Sequence, residues 1–502
     1  LIFNMKQVEI KLNNFSGGVS DDPRQKTDTG FIISKHFDIF SNPNRLTPYR
    51  SFEADTHDGV TATGMKQYFV RDFLYASASA KLFGLGQTAG GLTKIVQKAD
   101  ATMGNWTLPA SSEGNGAVKN GCFVEYKDSL FGFQGTNQIW KYSLLSGTPT
   151  ISNSASSTGA NTITSVAQGL IFNDYLYLPY NNRIWRATDA TTFSDGYLVL
   201  PTNFKITSLT QFGKYIAIAV APISTFNGVS KVLLWDGTST EIQESIDWGE
   251  GELRVLETIE GMLVGVTDRY LNNAVGAGRG SMIIQVYSGG IPQVIKEVFT
   301  KKLTAKTMPL SKAVKNNRLF FAAKIMTNDA GTEYDEGIWS FGRKNVNYPF
   351  ALTLDVIDES INTSGIQAFG TAGNFFFIAH SADGSIDKTD DTAAYTYSSI
   401  LESQIIDFGD VDSDKRIEIL KVSFRKLVSG ETVTLKYKVD DATSWTTIGS
   451  VSTVGEISRS FTGIEATDVN FASGREYKFQ VVSTGGAEIT SLTLRATILS
   501  NI

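Results

Sequence analysis

At 502 residues the chain is about three times a typical domain, enough for two or three domains or for one large repeat architecture. Its 45 basic and 51 acidic residues leave 45 − 51 = −6, the wrong sign for a protein that binds by neutralising phosphates or an anionic membrane surface. The single cysteine, Cys122, excludes an internal disulfide framework and a Cys-rich zinc site, and three histidines (His36, His57, His380) leave little for His-based metal or base chemistry.

Forty-six glycines against 11 prolines, with 11% aromatic and 19% charged residues, describe short half-buried strands joined by tight turns. That composition predicts an all-β chain and excludes collagen-like and disordered classes. The opening residues Leu-Ile-Phe-Asn-Met-Lys lack the basic segment, long apolar core and small-residue cleavage site of a secretory signal. No stretch approaches the roughly 20 apolar residues of a membrane helix. The best run, Tyr215 to Ile223, already contains Pro222.

Val8 to Leu12 alternates as a strand does, and the turn-rich segment Asn13 to Pro23 follows it. Residues 1–60 therefore read as an extended N-terminal arm that packs along the following domain or onto a neighbour.

From there a repeat begins. A polar or glycine turn leads into a short apolar and aromatic strand at Asp72-Phe73-Leu74, Asp128-Ser129-Leu130, Asp174-Tyr175-Leu176, Lys214-Tyr215-Ile216, Gly261-Met262-Leu263, Asn317-Arg318-Leu319 and Asn374-Phe375-Phe376. Most copies carry a later strand ending in an aromatic: Trp140, Trp185, Trp235, Tyr287 and Trp339. Seven units of about 50 residues, each with three or four period-two strands, predict a seven-bladed β-propeller over residues 61–404. One such sheet cannot bury both faces alone, whereas sheets packed face to face in series can. The repeated aromatics are expected to be wedges in those cores rather than ligand platforms. Two polar insertions, Ser152 to Thr164 and Asn272 to Gly280, are expected to be exposed loops.

After about Gln404 the period breaks. Runs at Arg416–Phe424, Thr432–Val439, Ser444–Val451, Glu456–Thr462, Glu476–Ser483 and Ala487–Ile498 alternate strictly and predict a C-terminal antiparallel β-sandwich, jelly-roll-like, over 405–502.

Chemistry is sparse. Asp410, Asp412 and Asp414 have the spacing of a calcium loop, but Lys415 and Lys421 stand where that loop needs glycine and glutamate, so a solvated acidic turn is expected. Gly276-Ala277-Gly278-Arg279-Gly280 lacks the lysine and the strand-to-helix setting of a phosphate loop. Ser381-Ala382-Asp383-Gly384 falls short of the Ser-x-Asp-x-Gly-x-x-Trp turn of sialidase-like propellers. Glu244, Asp247 and Glu250, placed on a loop around Trp248, are the carboxylates a glycan-degrading enzyme would need in convergent pairs. His380 follows an apolar strand and reads as structural, Cys122 reads as a small buried residue, and the cluster Lys301, Lys302, Lys306 is too small to outweigh the net charge. No catalytic, cofactor-binding or metal-binding residue is assigned, and no cofactor is expected.

The opening segment carries one resemblance. Phe15-Ser16-Gly17-Gly18-Val19, then Pro23, then His36-Phe37-Asp38-Ile39 leading through Asn42-Pro43 to Leu46-Thr47-Pro48-Tyr49, resembles the start of tailed-bacteriophage virion proteins, in which a short arm precedes a β-propeller. The resemblance spans roughly residues 10–55. It implies a structural component of tail, neck or baseplate, assembled in the bacterial cytoplasm into a symmetric oligomeric particle. Its implied partners are other virion proteins, with neither nucleic acid nor membrane insertion. Two other functions are open at this point: a host-surface carbohydrate binder stacking sugars on Trp445 or Tyr437 of the sandwich, and a glycan-degrading propeller enzyme.

Overall fold

The computed structural model describes residues 6–19, 30–55, 69–88, 91–99, 106–108, 113–114, 123–134, 138–145, 151–152, 164–189, 191–223, 228–270, 280–300, 306–326, 334–357, 366–373, 375–380, 386–389, 394–462 and 471–499. All regular structure among them is β-strand. The chain divides into two compact units: residues 1–51, 338–357 and 392–502 form the first, and residues 52–337 and 358–391 the second.

The second unit is built mainly of antiparallel four-stranded sheets, of which the first five are each folded from consecutive strands. The first sheet spans residues 69–114, the second 124–152, the third 170–199, the fourth 204–250 and the fifth 252–300. A hairpin of Lys306–Lys315 with Arg318–Met326 follows the fifth. The closing sheet takes three strands from residues 366–388, and its fourth is the N-terminal pair Glu53–Ala54.

Local sequence builds these hairpins. The turn between first and second strands holds two residues at positive φ at Lys127-Asp128, Asn173-Asp174, Glu260-Gly261 and Asn316-Asn317. Two consecutive left-handed residues make the type I′ turn, whose twist matches that of the strands it joins, and Asn, Asp and Gly enter that conformation most readily. Register places Leu130, Leu176, Ile216 and Leu263 at one equivalent position on their second strands. In the first sheet that position is Leu82, paired with Lys98, and the Leu74 read from sequence lies one strand earlier. Asp72 imitates a turn residue but sits inside a strand. The true turn is Ser77 to Ala80.

Each sheet buries its faces against its neighbours. Phe83, Leu85 and Ile95 of the first sheet share a core with Leu130, Trp140 and Tyr142 of the second. Phe131, Phe133 and Ile139 meet Leu178, Tyr180 and Trp185 of the third. Tyr177, Ile184 and Leu198 meet Ile218, Val220 and Trp235 of the fourth. Ala219, Val232 and Trp248 meet Leu253, Leu256 and Tyr287 of the fifth. The last core joins the ends of the series: Val70, Phe73, Val96 and Trp106 of the first sheet pack on Ala368, Phe377 and Ile386 of the closing sheet. A Cβ on Gly370 would lie 2.4 Å from that of Phe73, so only glycine admits this approach.

The first unit corrects the boundary read from sequence. Residues 6–51 are not a separate arm but strands and turns of the first unit. Lys6–Leu12 pairs antiparallel with Ile489–Leu499 from Lys6 opposite Ile498 to Leu12 opposite Leu492, in a sheet ordered 6–12, 489–499, 414–424, 458–462. Gly30–Lys35 lies between Ala351–Ile357 and Ser399–Ser403 in a second sheet, which continues through Tyr477–Thr484 and Thr432–Val439 to Thr446–Val451. The two sheets share one core, to which the N-terminal segment gives Phe15, Phe31, Phe37, Ile39 and Leu46. Burial of those apolar side chains in this core accounts for the pairing.

Cys122, His57, residues 153–163, residues 271–279, Lys301, Lys302 and Ser381 to Gly384 lie outside the described residues, as does the side chain of Lys306.

Candidate functional site

The third-strand aromatics are core residues. Trp140, Trp185 and Trp235 have no exposed surface, and Trp339 and Tyr287 are buried. In the second to fifth sheets, Trp140, Trp185, Trp235 and Tyr287 each pack toward the preceding sheet. Two of the indoles are bonded internally: the Trp185 indole donates to Asp195, as does the Tyr180 hydroxyl, and Trp235 Nε1 donates to the Ser239 carbonyl at 2.7 Å.

Three polar arrangements stand out within the second unit. The first links the opening strands of the fourth sheet, the fifth sheet and the following hairpin. Lys312 Nζ, almost fully buried, donates to Ser208 Oγ (2.8 Å) and to the Leu256 carbonyl (3.0 Å), and pairs with Glu257 at 2.7 Å. Thr210 donates to the other oxygen of Glu257 at 3.0 Å, and Ser208 Oγ donates to the Leu256 carbonyl at 3.1 Å. A serine beside a lysine suggests nucleophile and base. Here Lys312 Nζ donates to several acceptors and pairs with a carboxylate, the bonding of a structural cation rather than of a base aimed at a nucleophile. It is a crosslink.

The second lies between the closing and first sheets. Asp55, just after the Glu53–Ala54 strand, accepts from Lys98 Nζ (2.7 Å) and Trp106 Nε1 (2.6 Å) on Oδ2, while Lys388 Nζ stands 2.7 Å from Oδ1. All four residues are buried. Asp387, next to Lys388 on the strand Ile386–Lys388, has its Oδ2 3.0 Å from His380 Nε2, a pair enclosed in the core.

The third is a cleft of about 380 Å³ at the fourth sheet, floored by Leu200, Phe204, Val220, Leu233 and Ile242, with Lys231 and Glu244 at its lip. It is within the size range of small-ligand sites. Lys231 pairs with Asp247 at 2.8 Å, and Glu244 accepts from the Tyr287 hydroxyl at 3.3 Å.

The carboxylates read as a loop around Trp248 are in fact on the outermost strand of the fourth sheet, Glu244–Glu250. Alternation along it buries Trp248 and turns Asp247 outward, so these acids do not converge. Asp410 folds back on its own turn, accepting from the backbones of Asp412 and Ser413 and from the Ser413 hydroxyl, which holds its carboxyl below the usual range. Asp414 begins a strand and lies near Arg475 instead. Among the described residues no three His, Cys, Asp or Glu side chains gather as a metal site would need. Tyr437 is buried, packed edge-on to Phe471 with its oxygen accepting from the Ala472 backbone, which removes it as a sugar platform. Trp445 is half-buried, with Lys438 Nζ 4.8 Å over its ring.

Sequence reasoning missed Asp55, Lys98 and Lys388. Lys98 occupies the third-strand position that holds Tyr142, Ala187, Trp235 and Tyr287 in the next four sheets, and only that register marks it as out of place.

No family model matches the sequence, and no curated protein matches it. Solved structures similar to the chain include the computationally designed Ika8 protein, at 12% identity over 64% of this chain and 96% of that one with a TM-score of 0.38. The WD40 domain of Neurospora crassa Pan2 is 10% identical over 68% and 97%, with a TM-score of 0.41. BamB from Moraxella catarrhalis is 11% identical over 64% and 83%, with a TM-score of 0.34. These similarities carry no site, partner or activity to this chain.

Proposed function

We propose that the second unit is a seven-bladed β-propeller, that the first unit is a jelly-roll-like β-sandwich, and that the chain is a rigid structural component of a tailed-phage particle. The observation that carries the architectural part is serial packing: each sheet shares a core with the next, and the closing sheet shares one with the first. The hairpin after the fifth sheet stands in chain order where a further blade falls.

A rigid platform suits the polar chemistry, because its buried charges join sheet to sheet. Lys312 ties three successive elements together, and Asp55 ties first to last. The virion placement rests on the resemblance of residues 10–55, and it makes the partners other particle proteins in a symmetric assembly. The test is mass spectrometry of purified, intact particles from a host expressing this chain. Recovery in fixed stoichiometry with the tail proteins is expected. Its absence from particles, with the chain left free in the lysate, overturns the reading.

A further inference from the structure

We propose that Asp55 is a charge clasp on a detachable strap: residues 53–55 close the series of sheets, and their hold depends on one buried carboxylate rather than on ladder length. The strap's ladder is short. Glu53 pairs with Lys388 and Ala54 with Asp387, and one more backbone bond runs from Asp55 N to the Ile386 carbonyl at 2.9 Å. Strands elsewhere in the second unit run from two residues, at Glu113–Gly114 and Ile151–Ser152, to eight or nine. Two ladder pairs do not hold an isolated strand in water.

Among the described residues, three polar side chains converge on the Asp55 carboxylate. Lys388 belongs to the closing sheet, and Lys98 and Trp106 to the residues of the first sheet. One side chain therefore bonds the strap to both ends of the series. Lys98 is further enclosed by aromatic faces, its Nζ 5.5 Å from the Trp106 ring and 5.3 Å from that of Phe377. Removing one member of a buried charge cluster destabilises what remains in a low dielectric, and loss of Asp55 takes from Lys388 the carboxylate it faces and from Lys98 one of its acceptors. The local remedy is for the strap to leave and water to enter between first and closing sheets, opening that seam and no other.

The clasp is a property of this seam, independent of the number of sheets and of any partner. Its test is hydrogen exchange on the full chain, wild type against Asp55→Asn, which keeps the shape and removes the charge. Amides of Phe69–Ala76, Phe375–His380 and Ile386–Lys388 are expected to exchange at least about tenfold faster in the variant, with the third and fourth sheets unchanged. A uniform rise across all sheets, or none, overturns the clasp. The triple variant Asp55→Leu, Lys98→Met, Lys388→Met replaces charge with apolar volume and is expected to restore protection at the seam. If Asp55→Asn does not fold, the wild type decides: in rising sub-denaturing urea the seam amides should exchange through one shared opening below global unfolding. Exchange of those amides only through global unfolding overturns the proposal.

Discussion

Asp72 shows how a single residue can be misread. Its Oδ1 accepts from the Phe73 backbone at 2.9 Å, while Oδ2 is buried without a hydrogen-bond partner. Burial pushes its pKa up to about 8, so the folded chain holds the acid protonated at neutral pH. An unfolded Asp ionises near pH 4, so this site costs stability increasingly as pH rises from about 4 to about 8 and no further beyond. Asp72→Asn mimics the protonated form. It is expected to stabilise the protein by several kcal/mol at pH 8 and by almost nothing at pH 3.5, as read by urea midpoints across that range. His36 has the opposite dependence. Buried against the edge of Tyr397, it is pushed down to about 4, so stability is lost as pH falls from about 6.5 toward 4, by about 3 kcal/mol. His36 also has a φ of 67°, and asparagine tolerates that backbone. His36→Asn should carry a constant packing loss but flatten the difference between pH 6.5 and pH 4 in the same titration.

Among the elements, the hairpins were the most legible, because turn and alternation are local properties. Asn173 and Asp174 sit at φ 49° and 62° between Leu170–Phe172 and Tyr175–Tyr180. Asp174→Val is expected to cost about 1–2 kcal/mol, since a β-branched residue resists the left-handed region, whereas Asn173→Gly should be close to neutral. Equilibrium denaturation separates the two. The aromatic wedges were equally readable as core. Trp235→Ala, which empties the interface of third and fourth sheets, is expected to cost about 3–5 kcal/mol by the same measurement. The strands of residues 414–499 fall within about two residues of their sequence reading, since strict alternation over one core fixes both ends of a strand. The displaced first copy has a physical cause too: Asp72 precedes an apolar run just as a turn residue would, and only pairing shows that it faces the core.

For the whole molecule, sequence order and spatial order part company. Lys6–Leu12 is an edge strand on Ile489–Leu499, nearly the full chain length away, with Arg495 and Glu9 paired across it at 2.9 Å. Removing residues 1–12 should expose that edge. Amides of Ile489–Leu499 that point toward the lost strand are expected to exchange roughly tenfold faster, while those bonded to Asp414–Phe424 stay protected. Equal loss of protection on both sides would mean that the strand is needed for the sheet as a whole.

The sequence by itself determined the all-β class, the repeat, the wedge aromatics and the alternating strands near the C-terminus. Each of these is written in spacings of a few residues, where backbone sterics and burial of one face leave little choice. Only the tertiary structure decided where residues 6–51 belong, which copy begins the register, and that Asp55 meets Lys98, Trp106 and Lys388. Those pairings join residues 43 to nearly 500 positions apart, and their partners are chosen by which faces remain unburied once the local sheets have formed. No short pattern can encode that choice, because either partner alone is an ordinary residue.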